Sequence, residues 1–164
     1  MAKPTKYATL ICAIVSVLAL IGIVTGILMS KPLLVVIFLI PAVAYEVYRT
    51  EGPSTVWASW VLLIVLILEI VLIAADISFD LASFFGTSEK VVAGYVVPLG
   101  DIKIVGPIVM AILSIILFIR TRGRYTKWLA AVIFITCFAI VYVLNPEIFK
   151  NLLGLAVDRS IESI

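Results

Sequence analysis

Three carboxylates within one apolar stretch are the residues of this chain best suited to chemistry. Glu69, Asp76 and Asp80 follow one another at intervals of seven and four. On a helix turning about 100° per residue, both aspartates point within roughly 20° of Glu69, so one face would carry all three. Counted from Trp57 at one interface, Glu69 lies about 18 Å into the span, a little past its middle. Asp76 then falls near the far interface, and Asp80 at or beyond it. An ionisable group at such depth is costly in hydrocarbon, so it turns toward protein or water and marks proton or cation handling. A structural arrangement stays open as well. In it the aspartates pair with Lys103 or Lys90, and Glu69 hydrogen-bonds to Ser114, Thr136 or Tyr142 on neighbouring helices. Val61 to Leu68, the other half of the same helix, has no polar residue, which counts against a complete path through one chain.

Glu46 is the second acidic candidate. It follows Pro41 in a short apolar run, and short proline-interrupted spans line ion sites in transporters. The plainer expectation is that Glu46 sits at the cytoplasmic interface beside Arg49 and snorkels to water. Gly22 and Gly26 form a GxxxG that lets two helix backbones approach closely, within this chain or against another. Arg120, Arg122, Arg124 and Lys127 form a basic segment with no acid, read as a topology determinant touching anionic lipid. Cys12 and Cys137 lie in apolar runs and read as small buried residues.

Absences restrict the chemistry further. The chain has no His, which excludes imidazole ligands, imidazole proton shuttles and His-based nucleophile pairs. Two distant cysteines without CxxC exclude iron–sulfur and dithiol redox centres. There is no glycine-rich nucleotide loop. Carboxylates alone can hold magnesium, but no paired acid and base are evident, so an enzyme is the least favoured class. No cofactor and no metal are expected. Gln is absent and Asn occurs only at Asn145 and Asn151, a depletion of amides that suits a thermophile.

The elements that must position these residues follow from composition. Of the 164 residues 64% are hydrophobic and 13% charged, where soluble domains have about half and a quarter. So short a chain cannot bury that much apolar surface in itself; lipid must cover the rest. Disordered, nucleic-acid-binding and disulfide-framework classes are excluded by the same figures. Five spans are expected, at about 8–29, 33–48, 56–80, 104–119 and 128–144. The first has a basic start, but its apolar core is too long for a signal peptide and predicts a retained helix.

The run 33–48 is the marginal one, and charge placement argues that it crosses. With five spans, Lys3, Lys6, Arg49 and the basic segment from Arg120 all fall on the cytoplasmic side; with four, one basic segment is forced outside. Lys31 is the one cation on the wrong side. The expectation is an all-α membrane protein, a bundle of five transmembrane helices with the N-terminus inside, the C-terminus outside, and the plasma membrane as its site. Trp57, Trp60, Trp128, Tyr45 and Tyr48 then lie at headgroup level.

Two segments lie outside the bundle. Val91–Val97 and Ile102–Ile104 flank Pro98-Leu99-Gly100-Asp101, predicting a short outer β-hairpin, with a re-entrant segment as the alternative. The tail 146–163, capped by Asn145 and Pro146, reads as an amphipathic helix on the outer interface. Uniformly apolar helices without cofactor ligands point to a non-catalytic subunit of a larger membrane complex, such as a respiratory or other energy-transducing one. The alternative is a small oligomeric proton- or cation-coupled transporter or channel using Glu69, Asp76 and Asp80. The expected partners are the bilayer and other membrane subunits, not nucleic acid.

Overall fold

Without water, a spanning segment must satisfy its backbone within itself, and a helix does so residue by residue. The computed structural model describes residues 6–77, 90–92, 95–97 and 102–146. Among the described residues are five helices long and apolar enough to cross a membrane, the number expected. They are α1 (Ala8–Met29), α2 (Pro32–Arg49), α3 (Pro53–Ala74), α4 (Val105–Arg120) and α5 (Arg124–Leu144). Proline at the first turn starts α2 and α3, where its missing N–H costs nothing. Pro41 lies inside α2 without ending it.

Two helices stop by the same device. Ser30 takes a left-handed backbone with φ 52°, and the amides of Ser30 and Lys31 turn back to the carbonyls of Ile27 and Gly26. Asp76 does likewise with φ 48°, and the amides of Asp76 and Ile77 return to Ile73 and Leu72. Both are Schellman closures, which accept a left-handed residue other than glycine when the side chain is short and polar. This closure corrects the expected third span: α3 ends at Ala74 instead of running to Asp80. The fifth span also differs, beginning a turn earlier at Arg124. Arg120 and Lys127 are therefore helical, and the link between α4 and α5 contains only one of the four cations, Arg122.

The helices run alternately up and down. α2 packs on α1, α3 and α5; α5 packs on α1, α2 and α4; α3 also meets α4. α2 and α5 thus form the inner pair. The buried positions repeat at intervals of four and three, the pattern of near-parallel helix packing. On α1 this inward seam is Ala8, Cys12, Val15, Ala19, Gly22 and Gly26, all small. On α3 it is Thr55, Ser59, Leu62, Leu66 and Glu69. The outward faces stay apolar, and only 22% of the most hydrophobic window of α3 is buried. Lipid is the environment those faces require.

Strands Lys90–Val92 and Tyr95–Val97 pair antiparallel, Lys90 opposite Val97 and Val92 opposite Tyr95. The paired strands therefore both fall within 90–97, whereas the expected hairpin sets Val91–Val97 against Ile102–Ile104. Ile102–Ile104 is a turn of 3₁₀ helix leading into α4, not a second strand. The expected helix over 146–163 lies outside the described residues.

Gly22 and Gly26 are where α1 touches α2. A Cβ on Gly22 would overlap the Cβ of Phe38 and lie 3.1 Å from its Cγ, and one on Gly26 would overlap the Val35 side chain. The GxxxG is thus used within this chain. Gly26→Leu should lower stability by about 2 kcal/mol through overpacking, read as a drop in thermal midpoint of the detergent-solubilised protein.

Candidate functional site

The inward seams carry two acidic residues, one toward each end of the bundle. Glu46 on α2 and Glu69 on α3 are both 0% exposed. Each occupies a position that the heptad-like spacing of its helix turns to the core.

Glu69 lies five residues before the end of α3, about 7.5 Å from it. Its carboxyl group rests against the backbone of Gly106 in the first turn of α4. A Cβ at Gly106 would overlap Glu69 Oε2 and sit 2.9 Å from Cδ, so the glycine makes room for the acid. The hydroxyls of Ser114 and Thr136 donate within their own helices, to Ala111 O and Val132 O at 2.7 Å.

The three-carboxylate face does not form. Asp76 follows the end of α3 in the left-handed conformation, which breaks the 100° register, and its side chain is 91% exposed. It accepts a 2.7 Å hydrogen bond from Lys103 Nζ, one of the structural pairings open to it. Asp80 lies outside the described residues. The Lys103 hydrogen bond and charge hold the Asp76 carboxyl below the usual carboxylate range.

At the other end Glu46 does not snorkel beside Arg49. Its Oε1 accepts from Thr50 Oγ1 at 3.2 Å, and Oε2 is buried with no hydrogen-bond partner among the described residues. Thr50 Oγ1 also donates to Glu46 O at 2.7 Å, sharing its one proton. Arg49 lies against two rings, 5.0 Å from the centroid of Tyr125 and 5.9 Å from that of Tyr45. Thr9 Oγ1 and Tyr125 OH lie 3.0 Å apart, and Trp128 Nε1 donates to Ser16 Oγ at 3.0 Å. These contacts tie the start of α1, the end of α2 and the start of α5 together.

The roles of Gly106 and Thr50 were not foreseen. Thr50 could have been found by extending the α2 spacing Leu39, Val43, Glu46, Thr50. Gly106 carries no local signal, because its importance depends on which side chain arrives opposite it. Among the described residues no group of three or more His, Cys, Asp or Glu could hold a metal ion. No protein-family model, curated protein or solved structure matches the chain, so the site is read from its own residues.

Gly→Ala inside a helix ordinarily stabilises by about 1 kcal/mol. Gly106→Ala should instead destabilise by about 2 kcal/mol, because its methyl meets the Glu69 carboxyl group. In a Glu69→Ala background most of that cost should vanish, a coupling that a thermal-denaturation double-mutant cycle measures. For Asp76, a folded carboxyl held below its unfolded value adds stability above that unfolded value and loses it as pH falls through the folded one. The parent should therefore exceed Asp76→Asn in thermal midpoint at neutral pH. The gap should close on acidification, and it should shrink with salt because the Asp76 carboxylate is exposed, although Lys103 is buried.

Proposed function

We propose that the chain is a non-catalytic integral membrane subunit that packs within a larger membrane complex, such as a respiratory or other energy-transducing one. The observation that carries this reading is the apolar layer between the two buried acids. On α3 the inward seam from Ser59 to Glu69 contains only Leu62 and Leu66, and on α2 everything inward of Glu46 is Val43, Ala42, Leu39, Val36 and Val35, all fully buried. Ser114 and Thr136 direct their hydroxyls into their own backbones. This arrangement supports a packing role over a continuous polar route through one chain.

The orientation belongs to the same reading. Lys6, Arg49, Arg120, Arg122, Arg124 and Lys127 gather at one end, while Lys31 and Lys103 are at the other, Lys103 paired with Asp76. By the positive-inside rule the crowded end is cytoplasmic, which places the N-terminus inside and the strand pair outside.

One observation favours a second reading. A charged carboxylate costs about 3 kcal/mol at the centre of a membrane helix on insertion scales and less toward its end, and Glu69, five residues from the end of α3, is fully buried. A neighbouring copy completing a path past Glu69 would make the chain a small oligomeric proton or cation transporter. Native-level purification in mild detergent separates the two. The subunit reading expects unlike chains in fixed stoichiometry and no change of ion flux on Glu69→Gln. A monodisperse homo-oligomer whose flux is lost on Glu69→Gln would overturn it in favour of the transporter.

A further inference from the structure

The crowded basic end sits over an apolar groove that the packing of the bundle does not use. The groove lies between α4 and α5, with a volume of about 280 Å³, and is lined by Ser114, Ile115, Phe118, Ala130, Ala131 and Phe134. Ser114 adds no polarity, because its hydroxyl is donated to Ala111 O within α4. Two alanines form the floor and two phenylalanines the walls, a shape that small residues open and aromatic rings bound.

The mouth is cationic. Lys127 lies on the stripe of α5 that continues through Ala130, Ala131 and Phe134, and its Nζ is 5.7 Å from the centroid of the Phe118 ring. Arg120 closes α4 and Arg124 opens α5 at the same end. From Lys127 to Phe134 the groove follows two turns of helix, about 10 Å. The apolar lining offers water no hydrogen-bond partners. In a bilayer its natural content is hydrocarbon, with any phosphate at the level of Lys127.

We propose that this groove binds one anionic phospholipid, an acyl chain lying between Phe118 and Phe134 and the phosphate held by Lys127, with Arg120 and Arg124 adding field. The charge selects this occupant. A second copy of the chain meeting the groove face to face would bring Lys127 and Arg120 against their equivalents, a like-charge contact, and none of the six lining residues is an acid that could offset it. The proposal does not depend on whether the chain has protein partners.

The test is native mass spectrometry of the full chain in detergent, titrated with phosphatidylglycerol or phosphatidylcholine of the same acyl chains. Phosphatidylglycerol should bind more tightly. Lys127→Ala should weaken it about fivefold, the worth of one near-surface cation, and Lys127→Arg should restore it. Ala131→Phe should fill the groove and reduce binding of both lipids about tenfold or more; Ala131→Leu, a smaller filler, should act in the same direction if the larger ring disturbs folding. Glycerol phosphate, a headgroup without chains, should not bind detectably. Equal binding of the two lipids, or an unchanged Lys127→Ala, overturns the assignment. Binding that survives both fillers reduces it to surface attraction by the basic end. A dimer that Ala131→Phe dissociates, with lipid binding intact, assigns the groove to a second copy instead.

Discussion

Close approach of helix backbones is the constraint on which the rest of this bundle depends. Lipid removes the hydrophobic drive that holds soluble helices together, so association rests on contact, and contact improves as side chains shrink. The inward seam of α1 is built from Ala, Cys, Val and Gly throughout. Its two glycines receive Phe38 and Val35 of α2 with no space for even a methyl group. The same principle at Gly106 admits a carboxyl group instead of a hydrocarbon. A residue type usually linked with flexibility therefore acts here as a recess, and what fills the recess differs from one end of the molecule to the other.

Polar residues are divided along the bundle axis. Serines and threonines in the helices bond to carbonyls of the turn before them, as at Ser16, Thr25, Thr55 and Thr136, which removes the need for water or a partner. Aromatic and cationic groups collect where α1, α2 and α5 meet at one end, with Arg49 against the rings of Tyr45 and Tyr125. The opposite end has a surface ion pair, Asp76 with Lys103, that anchors the 3₁₀ turn before α4 to the close of α3. A middle layer of Leu, Ile and Val separates the two ends. The helical serines and threonines are satisfied locally, whereas the buried carboxyl oxygen Oε2 of Glu46 has no hydrogen-bond partner among the described residues, and the outward apolar faces require a covering.

Much of this was legible in the residues. Five helices follow from the length of the apolar runs, and all five are present because the backbone has no other means of satisfaction in hydrocarbon. Helix ends were harder to read. Ile77 and the apolar residues after it allow α3 to continue, but Asp76 tolerates a left-handed backbone and finds Lys103 opposite, so the chain turns there and the acidic face dissolves. The strand pair was legible as composition but not as pairing: the pattern sets Val91–Val97 against Ile102–Ile104, yet Lys90–Val92 pairs with Tyr95–Val97. Glu46 shows the opposite error, since proximity to Arg49 and an expected interface outweighed the spacing that directs it inward.

From the amino-acid order alone come the membrane class, the number of helices, the asymmetry of charge between the two ends and the small-residue seam of α1. These depend on composition and on period along one helix, which local backbone physics converts directly into structure. Tertiary structure decided that Gly22 and Gly26 serve this chain's own α2, that Glu69 rests on Gly106, that Glu46 is buried while Asp76 is not, and that a groove opens beneath Lys127. Each of these depends on which residue of one helix arrives opposite which residue of another. That register is set by the packing of all five helices together, and no single segment encodes it.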